Sequence, residues 1–219
     1  MTMRLDERLR SIAAFVVEGS RVADIGTDHA QLAIELIKSG RASKVIAADL
    51  NAGPLEAARK NISAAGLEDR IDVRLGDGLT VLEAGEVDTV CMAGMGGALM
   101  VEILSNDVSR SIGRLILQPM NTVERLRQWL ELNGWAIVDE DLAEVGGIVY
   151  EIICAERGGR SNAETKRSRS PLLKKLLNAR IEKLKRVAAS MEKSSAAVQT
   201  EKYRRLRAEL EELSGGDND

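Results

Sequence analysis

Aromatic residues are scarce in this chain: one Phe, two Trp and two Tyr among 219 residues. With 44% apolar residues the core must be aliphatic, and base stacking cannot dominate any nucleic-acid contact. A single histidine, His29, excludes a histidine-rich metal site and leaves a triad with a distant serine unpersuasive. No metal is expected. The two cysteines, Cys91 and Cys154, stand far apart in apolar runs without metal spacing. They read as buried thiols in a reducing compartment. No apolar run approaches a bilayer span, and the opening MTMRLDERLR has no signal-peptide core. The expectation is a soluble, cytoplasmic protein. Also missing is G-x-G-x-x-G, the fingerprint that seats a dinucleotide pyrophosphate on a helix N-terminus.

What stands in its place is Val22–Ala30, VADIGTDHA. Val22, Ala23 and Ile25 read as a short buried strand, and Gly26 begins the turn out of it. From Ala30 the apolar residues Leu32, Ala33, Leu36 and Ile37 repeat at helical spacing. Strand, Asp-x-Gly turn and helix together form the first unit of a nucleotide-binding α/β fold. The glycine lets backbone approach a ligand, and the helix start offers unpaired N–H groups. Asp28 in this turn would repel a pyrophosphate. A ligand with a cationic or zwitterionic end suits it better, and S-adenosyl-L-methionine (SAM) is such a ligand.

Strand patterns follow at 44–48, 71–75, 87–92 and 114–117, with helical patterns at 4–18, 54–65, 98–108 and from Thr122 to 132. Thr122 is placed to cap the last of these. Residues 135–141 and 148–155 read as a hairpin around Gly146-Gly147. Five βα units and a hairpin predict a doubly wound α/β sheet with an antiparallel strand at one side. This is the Rossmann-like layout of class I SAM-dependent methyltransferases.

Charge is unevenly shared. Between 157 and 207 nine Arg and seven Lys face four Glu, on a chain whose net charge is −3. A basic tail on an acidic body suits an anionic partner such as nucleic acid, although a solvated helical face has the same composition. Residues 157–170 have linker composition. From Pro171, one apolar stripe runs to Met191, and a weaker one joins Tyr203, Leu206, Leu210 and Leu213. Two helices in an antiparallel hairpin account for both stripes, with one long helix or an intermolecular coiled coil as the other arrangements. The expected domains are 1–157 (catalytic), 158–214 (basic and helical) and a disordered tail at 215–219. The protein is expected as a monomer or a weak homodimer through the terminal helices.

In open α/β sheets, ligands bind beyond the carboxyl ends of the strands, where strand order reverses. The first strand offers Asp24, Gly26, Thr27, Asp28 and His29 there. The second ends in Asp49, followed by Leu50, and an acidic group at that point can accept both ribose hydroxyls. The third ends in Asp77 and Gly78, suited to an adenine amino group and the space its ring needs. Each is also an ordinary turn residue when taken alone. Acidic residues closing three successive strands are a register that chance turns have no reason to produce. After the fourth strand, Ala93, Gly94, Met95 and Gly96 form a wall where backbone lies close to ligand. After the fifth, Gln118 and Asn121 supply amides suited to a base edge, with helix capping as the alternative for Asn121. Asp28 is the candidate for orienting an incoming amino group. His29 contacts substrate or bonds its own loop.

DIGTDHA, AGMGG and LQPMN, together with the helical extension, resemble the bacterial TrmK family of tRNA (adenine(22)-N(1))-methyltransferases, and the likeness covers essentially the whole chain. Many relatives carry an aromatic residue after DHA, where this chain has Gln31. The resemblance implies a Rossmann-like SAM-binding domain, a coiled-coil-like domain that helps hold tRNA, and methylation of adenine N1 at position 22. N1 already carries a lone pair, so positioning can supply the catalysis without a strong base. Asp28, Gln118 and Asn121 are the expected catalytic residues. Three rivals stand beside this reading: the same fold acting on another RNA or a small molecule, an NAD-dependent oxidoreductase, and a non-enzymatic helical scaffold.

Overall fold

In the computed structural model, residues 5–215 are described, and the chain divides into two compact units, residues 1–170 and 171–219. Unit one is a seven-stranded sheet flanked by helices. Its strands are β1 (Ser20–Ile25), β2 (Ala42–Asp49), β3 (Ile71–Leu75), β4 (Thr89–Met95), β5 (Arg114–Pro119), β6 (Trp135–Val145) and β7 (Ile148–Arg157). The order is β3-β2-β1-β4-β5-β7-β6, with β1 to β5 parallel and β7 antiparallel to both β5 and β6. From β1 the chain winds outward to β2 and β3, then returns to place β4 on the other flank of β1. The switch point lies between the carboxyl ends of β1 and β4.

Helices α1 (Glu7–Phe15), α2 (Gln31–Lys38), α3 (Ala52–Ala65), α4 (Gly97–Leu104) and α5 (Val123–Leu132) cover the sheet. The aliphatic core has two layers. One joins Ile12, Leu36, Ile62, Ile116 and Ile152, and the other joins Met92, Met100, Leu104, Leu115 and Leu126. Asp6 ends the first helix as expected of a cap, accepting from Leu9 N at 2.8 Å. Gly146 and Gly147 both have positive φ, 59° and 83°, as a two-residue hairpin turn with right-handed strand twist requires. Among the described residues no helix is long and apolar enough to cross a membrane.

Several predicted boundaries move. α1 is shorter than 4–18 because Val16 is already extended, and α4 ends at Leu104, with a 3-10 turn at Asp107–Ser111 in place of its last residues. β4 runs on to Met95 through a register shift between Ala93 and Met95, so the first three residues of AGMGG are strand. Thr122 does not cap α5. Its φ is 50°, and its hydroxyl instead accepts from Ala98 N at 3.1 Å, capping the neighbouring α4.

Of residues 157–170, read as linker, Arg157 ends β7 and 158–170 pack on unit one. β6 is an edge strand, and the segment takes up its unpaired carbonyls: Asn162 N donates to Ile137 O at 3.0 Å, and Arg167 N to Glu140 O at 2.9 Å. Thr165 is buried, Lys166 Nζ lies 4.5 Å from the Phe15 ring centre, and Arg167 pairs with Glu151 at 3.1 Å. The unit boundary therefore falls at Pro171, not 158.

Unit two contains α6 (Leu172–Met191), a short α7 (Ser195–Val198) and α8 (Glu201–Gly215). Ala188, Leu206 and Leu210 bury the α6–α8 seam. Arg180 pairs with Glu209 at 2.6 Å, and the Tyr203 hydroxyl donates to Glu192 at 2.6 Å, so the two helices run antiparallel. Residues 216–219, most of the expected disordered tail, lie outside the described residues; Gly215 closes α8.

Candidate active site

A continuous rim of contacts, most of them backbone hydrogen bonds, runs along the carboxyl ends of five strands. Gly76 N donates to Asp49 O at 3.1 Å, joining the end of β3 to that of β2. Gly26 N and Thr27 N both donate to Ala48 O, at 2.8 and 3.0 Å, joining β2 to the turn after β1. A Cβ at Gly26 would stand 2.9 Å from Met95 Cε, so the first turn touches the end of β4 directly. Met120 N donates to Met95 O at 2.9 Å, and Gly97 N to Asn121 O at 3.1 Å, closing the rim at β5. The residues predicted from the strand ends thus lie along one rim, with the switch point between β1 and β4 at its middle.

The turn after β1 is held by an unusual backbone. Gly26, Asp28 and Ala30 all have positive φ, 77°, 51° and 57°. Two of them are not glycine, a cost that such turns bear mainly where the loop's shape matters. Inside it, Asp24 is buried and accepts the Thr27 hydroxyl at 2.7 Å. Burial raises the Asp24 carboxyl to about 6, the Thr27 hydrogen bond opposes this, and the nearby Asp49 charge adds to it. Asp28 and His29 are exposed, with His29 Nε2 3.5 Å from Asp28 Oδ1.

Asp49 is half-buried, and its Oδ1 accepts from Asn51 N at 2.9 Å, the turn bond anticipated as its structural role. Leu50 and Asp77 are exposed beside it. Gly78 has φ 52°, and a Cβ there would meet Ile103 Cγ2 at 2.8 Å, so α4 leans over this end of the rim. Ala93 is half-buried and Gly94 exposed, with φ 76°. A Cβ at Gly96 would lie 3.0 Å from Asn121 Oδ1, which keeps the exposed Asn121 carboxamide against the glycine wall. Asn121 Oδ1 also accepts the Thr122 hydroxyl at 3.0 Å.

Gln118 differs from its expected role. It is completely buried, and its amide is spent inside the protein. Oε1 accepts from Arg8 Nη1 at 2.8 Å and from Gly94 N at 3.1 Å, while Nε2 donates to Pro119 O at 3.1 Å. It presents no edge to a base. Arg8, which sequence reasoning missed, reaches the site across 110 positions through this contact. Nothing in the spacing of α1 marks it, since it sits on that helix's polar face beside Leu9.

Both cysteines are buried and free, and burial lifts Cys91 well above the ordinary thiol value and Cys154 to about 11. Neither serves as a thiolate. Among the described residues no group of three or more His, Cys, Asp or Glu is assembled to hold a metal.

A methyltransferase-domain family model, Methyltransf_18, matches residues 5–153. The tRNA (adenine(22)-N(1))-methyltransferase of Bacillus subtilis is 39% identical over 163 residues, which are 74% of this chain and 68% of that protein. The chain belongs to the TrmK family. The crystal structure of the Bacillus subtilis tRNA methyltransferase TrmK aligns over 97% of this chain and 98% of its own, with a TM-score of 0.83 and 30% identity. That of Streptococcus pneumoniae Sp1610 in complex with S-adenosyl-L-methionine covers 97% and 99%, at TM-score 0.77 and 34% identity. Both terminal helices and the rim therefore lie within the span that this TrmK chain shares with its relatives.

Proposed function

We propose that the protein transfers a methyl group from SAM to N1 of an adenine in tRNA, at position 22. Membership of the TrmK family carries the reading, and the rim at the switch point supports it.

The residues fit SAM. Gly26 and Gly78, both with positive φ, leave main chain uncovered by any side chain of their own at the two ends of an extended ligand. Asp24, Thr27, Asp28 and His29 line its amino-acid end, Asp49 and Leu50 its ribose, and Asp77 with Gly78 its adenine. Ala93 to Gly96 form the wall between donor and acceptor. When bound, SAM supplies an electrophilic methyl carbon: the N1 lone pair forms the new bond as the S–CH3 electron pair returns to sulfur, leaving S-adenosyl-L-homocysteine and a cationic 1-methyladenine.

The chain's own work is positioning. N1 needs no deprotonation, so a site of backbone, amides and carboxylates suffices, and orientation alone is worth up to roughly 7–11 kcal/mol in favourable intramolecular systems. Asn121, fixed by Thr122 and Gly96, offers a carboxamide to the base edge. Asp28 holds negative charge near the cation that forms. Gln118 acts at one remove, by setting Arg8 and the Gly94 turn. Because N1 lies on the Watson–Crick edge, the acceptor must leave its pair or its stack to react.

Exposed Lys174, Lys175, Lys183 and Lys185 on α6, with Lys202, Arg204, Arg205 and Arg207 on α8, suit sequence-independent phosphate contacts. In this reading residues 171–215 hold the tRNA and unit one carries the chemistry. The enzyme works where tRNA is, in the cytoplasm.

The test is methyl transfer from labelled SAM to unmodified tRNA transcripts, with the product nucleoside identified by mass and chromatography. One methyl per tRNA, as 1-methyladenosine, is expected. SAM binding without transfer to any tRNA would leave the fold and refute the substrate.

A further inference from the structure

Three distant elements meet where β5 ends. The buried Gln118 amide binds Arg8 of α1 and Gly94 of β4, and its Nε2 also reaches Met120 Sδ at 3.6 Å. A buried amide costs free energy unless it is bonded, whereas an apolar side chain would fill a core position without that demand. Besides the adjacent Pro119 carbonyl, every partner of this amide belongs to the mouth of the site. The polar residue is explained by where it puts Arg8 and Met120.

The Arg8 guanidinium is further fixed on two sides. It lies 5.7 Å from the Tyr150 ring centre, and its Nη2 stands 3.7 Å from Asp6 Oδ2, the cap of its own helix. The β5–β7 pairing ends at Leu117 with Ile153; continued three residues past that last pair, the same register sets Tyr150 opposite Met120, and Arg8, bonded to Gln118 and 5.7 Å from the Tyr150 ring, links the two. Tyr150 is half-buried, Met120 is 50% exposed, and the exposed Asn121 follows it. Cation, ring, thioether and carboxamide are therefore gathered on one edge of the rim, next to the Gly94–Gly96 wall.

Single exposed apolar residues are ordinary on any surface, but this combination has a definite ligand chemistry. A polarizable thioether packs on a π face, and an arginine stacks on rings and bonds phosphate with the same planar group. Nucleobase plus phosphate satisfies all of it. Resting on the tRNA reading above, we propose that Arg8, Met120 and Tyr150 form a nucleotide platform that receives the acceptor adenosine, its base against Met120 and its phosphate on Arg8. Gln118 is the positioning residue that sets the platform. α1 is then part of the substrate site as well as a packing element.

The experiment uses the full-length protein with in-vitro-transcribed tRNA under saturating SAM, and measures KM and kcat for tRNA beside the Kd for SAM. Met120→Ala and Arg8→Lys each raise KM for tRNA tenfold or more, with SAM Kd within twofold of wild type. Tyr150→Ala raises KM for tRNA likewise, and Tyr150→Phe, which keeps the ring, raises it less than Tyr150→Ala. Gln118→Leu raises KM at least as much as Arg8→Lys, since it also releases Gly94 N and Met120 Sδ, and adding Arg8→Lys to Gln118→Leu changes KM little further. Unaltered SAM affinity certifies the fold in each case. If KM stays within twofold in both Met120→Ala and Arg8→Lys, the platform is wrong. It is also wrong if SAM affinity falls in step with KM, which would mark a structural effect. Wild-type protein that methylates no tRNA refutes the substrate reading and the platform with it, whereas an active wild type with insensitive variants refutes the platform alone.

Discussion

Replacing Asp24 by Asn separates the stability of the fold from the demands of its site. Burial raises the Asp24 carboxyl from 3.8 to about 6, so the folded chain binds this proton more tightly than the unfolded chain does. The sign follows. Above pH 6 the carboxylate is ionised in both states, and its burial costs the full difference, about 3 kcal/mol at 1.36 kcal/mol per unit of pKa. Between 6 and 3.8 the folded state is protonated first and the cost shrinks; below 3.8 it is gone. Asn is nearly isosteric and keeps an oxygen for the Thr27 hydroxyl, now 2.7 Å from the carboxylate. Asp24→Asn is therefore expected to stabilise the ligand-free protein by up to about 3 kcal/mol at pH 8 and by almost nothing at pH 3.5. Urea unfolding of both proteins at each pH gives the difference directly, and contributions from other carboxylates cancel in it. A difference that does not change between pH 8 and 3.5 would refute the buried-charge argument. The same variant should bind SAM more weakly, since a carboxylate retained at such a cost is explained by a cationic ligand.

Other expectations rest on single features. Deleting residues 171–219 should leave SAM affinity within twofold by calorimetry and abolish methylation of tRNA; a parallel loss of SAM binding would show that the units do not divide the work. Thr122→Val removes the hydroxyl that caps α4, and should lower stability by about 1 kcal/mol in denaturant unfolding. Gly97→Ala meets Thr122 O at 2.8 Å and Asn121 O at 2.9 Å, both backbone, and should cost about 1–3 kcal/mol by the same measurement while raising KM for tRNA. The buried Cys91 should react with thiol reagents only as fast as the protein unfolds, which a labelling time course in urea would show.

The parts of this molecule that could be read from its sequence are those in which a local pattern fixes a local conformation. The alternation from strand to turn to helix around Gly26 predicts the first βα unit, and the acidic residues at three strand ends do lie along one rim. Even Gly146-Gly147, two small residues between apolar runs, determines its hairpin. What escaped has a common cause: it depends on polar groups finding partners far along the chain. Thr122 has the composition of a cap and is one, but for the adjacent helix, because a left-handed φ turns its hydroxyl away from α5. Residues 158–170 are polar because one side faces water, while their backbone seals the open edge of β6. Polarity of side chains carries no information about where main-chain N–H groups go.

Gln118 is the sharpest instance. Its place after β5 marks it for the site, and it is at the site, yet facing inward. The residue that it holds at the mouth of the site, the half-buried Arg8, belongs to a helix whose apolar stripe explains the helix completely and its function not at all. In a chain with five aromatic residues, of which Phe15 and Trp135 are buried, few side chains can receive a base. Tyr150 becomes available because the antiparallel insertion of β7 carries it back to the carboxyl end of β5. The topology that closes the sheet thus supplies the site with a ring that none of the parallel strands carries.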